Sequence, residues 1–312
     1  MNKIRIISLC LLMFFVASAL PSRAQRKEPR NNVKVKMKNG REDPWADYKE
    51  ERDSIGRWAY GINFGGYFAN KYSANFYNGT PGNLDSLGYI WRNKDWYQDI
   101  KIALHSVDKV IVLGYPTNMH YQVALTAGVF LRYNFDRKNG IFLQADYSLL
   151  KAEDVITVEV DPKEFLTLPD IRQIPIAGRE ERAMLALGFQ RSFPLKSKLY
   201  FFIDGGAMMC YSHVKKFVLV VEGKEYNMIN VYGKNKYQQG VNNQEFSTIQ
   251  YGLGFGGLAG GGFGLPVSDL FILEPGFSMQ YYPVNLTGYP GYKPSFNIYV
   301  RILLGFSHGK VS

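Results

Sequence analysis

The sequence predicts an all-β protein: eight antiparallel strands closed into a transmembrane up-and-down β-barrel with long extracellular loops. Three observations predict it. Apolar residues recur at every second position in eight separate segments, most of them 9–11 residues or longer. The connections between those segments alternate between short and long. The chain opens on an export signal, and no later apolar run is long enough for a helical span.

The opening is MNKIRIISLCLLMFFVASALPSRAQ. Lys3 and Arg5 form a positive start, residues 6–20 an apolar run, and Ser22 and Ala24 the small residues that signal peptidase reads. Residues 1–24 are therefore expected to be a cleaved signal peptide. Cys10 leaves with it, so Cys210 is the one cysteine of the mature chain and an internal disulfide is excluded. Lys3, Arg5 and Arg23 leave too, so 34 basic residues face 27 acidic ones, a net charge of +7. The basic residues are scattered and the address is extracytoplasmic, which excludes a nucleic-acid partner and suits a lipid surface.

Residues 25–54 form a charged arm with no sustained period. Within it Val33, Val35 and Met37 alternate with Lys34, Lys36 and Lys38, the pattern of a short edge strand. This segment is either a solvated linker or the candidate site for docking a protein partner of the periplasm or outer membrane.

The barrel is expected over residues 55–307. The first strand sets Trp58, Tyr60, Ile62, Phe64, Gly66 and Phe68 against Arg57, Ala59, Gly61, Asn63, Gly65 and Tyr67. Alternate side chains face opposite sides of a strand, so the first set faces lipid and the second the lumen. The second strand covers 119–134 and sends Met119, Tyr121 and every second residue to Tyr133 outward. The third and fourth cover 141–149 and 182–190, the fifth 199–211 and the sixth 248–259. The seventh covers 270–281 and the eighth 296–306, FNIYVRILLGF, with Phe296, Ile298, Val300, Ile302, Leu304 and Phe306 outward. One such strand also fits a soluble sandwich; eight in succession, with this loop rhythm, fit a barrel. The short turns are 136–140, 194–198 and 261–268, and the long loops 70–118, 151–181, 212–245 and 283–294. Short turns face the periplasm in such barrels, so both termini are expected there, with residues 308–312 as a tail. Outward aromatic residues gather at both ends of the strands, as interfacial girdles do.

The inward set contains charges of both signs: Arg57, Arg132, Asp146, Arg182, Asp204, Glu274 and Arg301. An eight-stranded barrel is just wide enough for side chains to fill it, so these are expected to form a charge network that plugs the lumen. Glu274 and Arg301 face inward on adjacent strands and are the expected leading pair.

Gly252, Gly254 and Gly257 match G-x-G-x-x-G, yet no helix follows and Pro266 ends the stretch, so no nucleotide site is expected. Inward glycines there make room for large neighbours such as Tyr200 and Phe202. His105, His120, His213 and His308 lack ligand spacing; no metal or cofactor is expected. His213 follows Ser212, but adjacent strand residues point apart, so no lipid-hydrolysing pair is expected. The first long loop concentrates Tyr72, Tyr77, Trp91 and Trp96, candidates either to contact a partner or to pack over the barrel mouth. Trp96, Ile100 and Leu104 share one face of a short helix expected at 95–104.

The signal, the charged arm and the eight alternating strands ending FNIYVRILLGF resemble the small outer-membrane β-barrel superfamily. Within it the GINFGGYF opening, the glycine-rich penultimate hairpin and the basic arm are similar to the PorT-type barrels of type IX secretion. The resemblance implies a non-enzymatic structural or interaction role in the cell envelope and assigns no catalytic residue. The alternatives are a narrow porin-like channel and a lipid-modifying enzyme.

Overall fold

The computed structural model describes residues 55–83, 85–136, 138–161, 168–195, 199–229, 235–236, 245–246, 251–268, 271–286 and 288–307. The signal peptide, the arm with Val33, Lys34, Val35, Lys36, Met37 and Lys38, the 308–312 tail and the Arg57 side chain lie outside the described residues.

The strands are β1 (Ile55–Phe68), β2 (Ile111–Gly114), β3 (Ala124–Asn134), β4 (Asn139–Val160), β5 (Asp170–Pro194) and β6 (Tyr200–Val221). After them come β7 (Lys224–Asn227), β8 (Asn235–Lys236), β9 (Glu245–Phe246), β10 (Tyr251–Pro266), β11 (Phe271–Pro283) and β12 (Tyr292–Ser307). Eight of them pair antiparallel in a ring, in the order β1-β3-β4-β5-β6-β10-β11-β12. Two pairings close it. Residues 251–264 of β10 run against His213 to Tyr200 of β6, and Phe68 to Ala59 of β1 runs against Phe296 to Gly305 of β12. Closure leaves none of these strands with an edge that hydrocarbon would have to solvate.

The alternation of the sequence is the alternation of exposure. Ile62, Phe64, Val129, Leu143, Leu187, Ile203, Phe255, Phe277 and Ile298 are exposed, while Asn63, Phe130, Gln144, Phe202, Ser278, Asn297 and Arg301 are buried. This inversion, greasy outside and polar within, requires an apolar solvent around the barrel. The belt runs for about ten residues per strand, from Phe193 to Leu185 on β5 and from Phe201 to Tyr211 on β6.

Three expectations on strand limits are corrected. β3 starts at Ala124, and Met119 and Tyr121 are buried above it rather than facing lipid. Residues 151–181 are mostly strand: β4 and β5 pair from Asn139 and Arg191 up to Val160 and Asp170, far beyond the belt. β10 continues through Pro266, so most of the expected turn at 261–268 is strand. In each case the backbone pairs wherever a neighbouring strand is present, and lipid-facing hydrophobicity does not limit it.

Above the belt, β2, β4, β5, β6 and β7 form a wall. Helices α1 (Lys71–Ala74), α2 (Gly88–Arg92) and α3 (Lys94–Ala103), with a 3-10 turn at Asn75–Tyr77, pack against it. Asn93 starts α3 because its Oδ1 accepts from the Trp96 amide at 3.1 Å. Ile100 and Leu104 then turn inward and join Ile156, Val158, Ile174, Ile176, Leu219 and Val221 in one apolar core. Each such side chain contributes about 1.5–3 kcal/mol by leaving water.

Candidate functional site

The inward charges settle into two layers. The lower layer lies within the belt. Arg132 Nη1 donates to Glu274 Oε1 at 2.7 Å and to Gln190 Oε1 at 3.0 Å. Tyr200 donates to the same Glu274 oxygen at 2.5 Å. Arg301 Nη2 donates to Asp204 Oδ2 at 3.1 Å and to Gln144 Oε1 at 2.9 Å. Asp146 accepts from Asn63 at 3.2 Å and from Gln144 at 2.5 Å. The guanidinium of Arg301 lies 4.1 Å from the Phe130 ring centre and 4.4 Å from that of Tyr299. A buried cation is thus met both by carboxylates and by aromatic faces.

The expected Glu274–Arg301 pair exists but is the looser one, at 3.6 Å. Cross-strand neighbours do not have to be the tightest partners inside a barrel, because side chains from opposite walls also meet. Arg132 crosses the lumen from β3 and takes Glu274.

Arg182 belongs to a second, upper layer. Its Nε donates to Glu180 Oε1 at 2.7 Å, its Nη1 to the Tyr67 hydroxyl at 2.9 Å and its Nη2 to Ser73 Oγ at 3.0 Å. Tyr67 and Tyr282 share a hydroxyl–hydroxyl hydrogen bond. Tyr121 and Tyr77 donate to Glu180 Oε2 at 2.6 and 3.0 Å. Ser73 and Tyr77 come from the first loop, so this layer fastens the loop into the barrel mouth. Gly178 permits it: a methyl at that position would overlap the Tyr77 ring. Burial and the neighbouring Glu180 carboxylate hold the Tyr77 phenol well above its usual range, so it stays a donor.

Glu180 was not among the expected lumen charges. It shares the parity of Arg182 and Met184, so extending the alternation two residues upward finds it. Of the loop aromatics Tyr77 is buried, while Tyr72, Trp91 and Trp96 are half-buried. Tyr77 is fully buried against Phe217, Trp96 meets Tyr226 edge-on, Trp91 meets Tyr97, and Tyr72 meets Tyr289. All four rings pack against other aromatic rings, and Tyr72, Trp91 and Trp96 also keep part of their surface exposed.

The glycines of β10 do two jobs. A methyl at Gly264 would strike the Tyr200 ring, the expected reason, and one at Gly262 would meet the Pro275 carbonyl first and then the Phe202 ring. At Gly252, Gly254 and Gly256 it would instead strike backbone of the 281–285 stretch, where two chain segments cross too closely for a Cβ.

Outside the barrel, Ser212 is buried and His213 faces outward, so the two do not meet. His213 Nδ1 lies 2.9 Å from Glu181 Oε1, Lys215 Nζ lies 2.8 Å from the same oxygen, and Tyr147 donates to Oε2 at 2.7 Å. Farther up, Asp161 accepts from the amides of Asp108, at 2.8 Å, and Val107, and from Ser106 at 3.0 Å. The Asp108 amide first of all, then the other two donors, hold the Asp161 carboxyl below the usual aspartate range. Lys224 is held above its usual range, chiefly by its hydrogen bond to Asp99.

No family model and no curated protein matches the sequence. Solved structures do. Neisserial surface protein A (NspA) is 9% identical, covering 81% of this chain and 99% of its own, with a TM-score of 0.36. Ail, the attachment invasion locus protein of Yersinia pestis, is 9% identical over 80% of this chain and 99% of its own, with a TM-score of 0.31. The outer membrane protein OprG from Pseudomonas aeruginosa is 11% identical over 80% and 94%, also at 0.31. The architecture rests on this chain's own geometry: a closed ring of eight long strands, an exposed apolar belt and a charged interior make the fold that of an eight-stranded transmembrane β-barrel.

Proposed function

We propose that the chain is a non-enzymatic outer-membrane β-barrel that serves as an interaction component of the cell envelope, in type IX protein secretion or envelope assembly. The observation that carries this reading is the doubly closed lumen. Buried ion pairs occupy the lower level, and Arg182 and Glu180 fasten the first loop across the upper one. A barrel closed in this way acts through the surfaces it presents. The long wall and the loop core form one packed platform, and in this reading the arm of residues 25–54 and both termini belong to the periplasm. The 33–38 segment has the pattern of a strand that adds to the edge of a partner's sheet, and its lysines oppose self-association.

Deleting residues 31–40 tests this. The truncated chain is expected to fold and insert normally but to lose its crosslinked periplasmic partner in intact cells. Retention of every crosslink would move the partner-binding role to the outer platform.

A narrow channel is the second reading, and one observation favours it. Arg132 Nε, Arg301 Nε, Gln190 Nε2 and Asp204 Oδ1 are buried in the lower layer with no hydrogen-bond partner among the described residues. Such polar atoms suit a line of water molecules.

A further inference from the structure

Just above the lipid belt the regular ladder between β5 and β6 breaks. Glu181 pairs with His213 and Glu180 with Val214, but Arg179 pairs with Lys216, so Lys215 is an extra residue. This is a β-bulge. Its effect is visible in the burial pattern: Ser212 and Val214 are buried below it, and Phe217, Leu219 and Val221 above it, a change of parity. The bulge also aims Lys215 back at Glu181, so that Lys215 and His213 reach one carboxylate oxygen together.

The cluster faces outward, at the height where lipid headgroups lie. Tyr147 and Tyr211 lie one outward step below it on β4 and β6, exposed Leu149 stands across from Glu181, and the Tyr211 ring stacks on His213. Its charge is unbalanced. Lys151 stands directly across from Arg179, and Arg179 across from Lys216. Like charges directly opposite on neighbouring strands are destabilising unless something neutralises them. Lys151 has Glu153 at 2.5 Å and Lys216 has Glu225. Arg179 is exposed and has no ion-pair partner among the described residues. Glu181 uses its oxygens on His213, Lys215 and Tyr147, which leaves it to hold these groups in place.

We infer that Arg179, Lys215 and His213, positioned by the bulge and by Glu181, form a binding site for the phosphate of an anionic membrane-lipid headgroup. A guanidinium recognises phosphate oxygens with a planar fork, and an ammonium adds a point charge beside it. The tyrosine girdle below would align the acyl chains. The site lies on the outside of the barrel wall, independent of the lumen and of the loop plug.

This inference rests on the barrel being membrane-spanning, so the experiment checks that separately. The full chain is refolded in micelles containing equal amounts of dioleoyl phosphatidic acid and dioleoyl phosphatidylcholine. Heat-modifiable gel mobility reports barrel formation, and native mass spectrometry reports retained lipid. The wild type is expected to retain the phosphatidic acid preferentially. Each basic side chain near a membrane surface is worth about fivefold in such binding, so the R179Q/K215Q double variant should lose tenfold or more of the preference. K224Q, far up the wall, should keep it. Equal retention of both lipids by heat-modifiable wild type overturns the site. So does an unchanged preference in the double variant. Full displacement of the lipid by millimolar inorganic phosphate overturns the lipid headgroup as the ligand. Absence of heat modifiability in the wild type rejects the barrel reading itself.

Discussion

Glu274 is the residue on which the lower layer depends. It is fully buried and receives Arg132 at 2.7 Å, Tyr200 at 2.5 Å and Arg301 at 3.6 Å. Breaking a buried pair from one side leaves a charge in a space that cannot solvate it, at a cost of about 3–5 kcal/mol. Glu274→Ala is therefore expected to lower the urea midpoint of unfolding in micelles by that equivalent, and Glu274→Gln by less, since its amide oxygen still accepts from Arg132. Equal, negligible effects of both would mean that the layer contributes nothing to stability. At the other end of the molecule Asp161 works through ionisation. Its folded-state pKa is depressed, so its contribution to ordering residues 106–108 is present above the unfolded value, about 4. That contribution is lost as pH falls through the lower, folded value. Amide exchange at Val107 and Asp108, measured at fixed intrinsic rate, should accelerate over that acid window in the wild type. In Asp161→Asn, whose amide oxygen still accepts but does not titrate, it should be insensitive to pH throughout.

Strands carry their meaning in the parity and height of each position. Val300 sits in the middle of β12, opposite Phe64 and Pro275, and faces lipid. Phe296 is on the same face four residues higher, opposite Phe68 and Met279 near the outer rim. A charge at the midplane of a membrane barrel costs about 2–4 kcal/mol, falling to about 0–1 near the interface. Val300→Arg should therefore destabilise far more than Phe296→Arg when folding is titrated in lipid vesicles. Comparable costs would show that the belt is placed at the wrong height. Parity also has limits. It holds through the belt, where both neighbours are regular, and fails at the Lys215 bulge, where one inserted residue exchanges the two faces of β6.

The molecule as a whole is closed at two heights by different means: side chains from opposite walls below, and a tethered loop above. Reconstituted wild type is accordingly expected to show no stable conductance in planar bilayers. Arg182→Ala, which frees Ser73, Tyr67 and Glu180 together, should loosen the upper closure and expose the 71–103 segment to protease while the lower layer still blocks current. Steady current through the unmodified protein would instead promote the channel reading, with water threading the unpaired polar atoms of the lower layer.

The sequence by itself determined the number of barrel strands and, within the belt, the alternation that turns Ile62, Val129, Leu187 and Ile298 outward and Arg132, Asp146, Asp204, Glu274 and Arg301 inward, because alternation in a membrane strand is imposed by the solvent on each face. It also determined that the 95–104 stretch would be an amphipathic helix, seen as Lys94–Ala103 capped at Leu104. Only the tertiary structure decided the partners. Arg132, Glu274, Asp204 and Arg301 are joined by closure of the ring, which brings β3 across the lumen from β11 and β6 across from β12, three strands away in each case, and no local pattern encodes a contact across a lumen. It alone decided that Arg182 and Glu180 clasp the first loop, and that Tyr121 leaves the lipid face to join them. Strands above the belt meet water on one face and protein on the other, so hydrophobicity no longer marks their ends. There the hydrogen-bonded neighbour determines how far a strand continues.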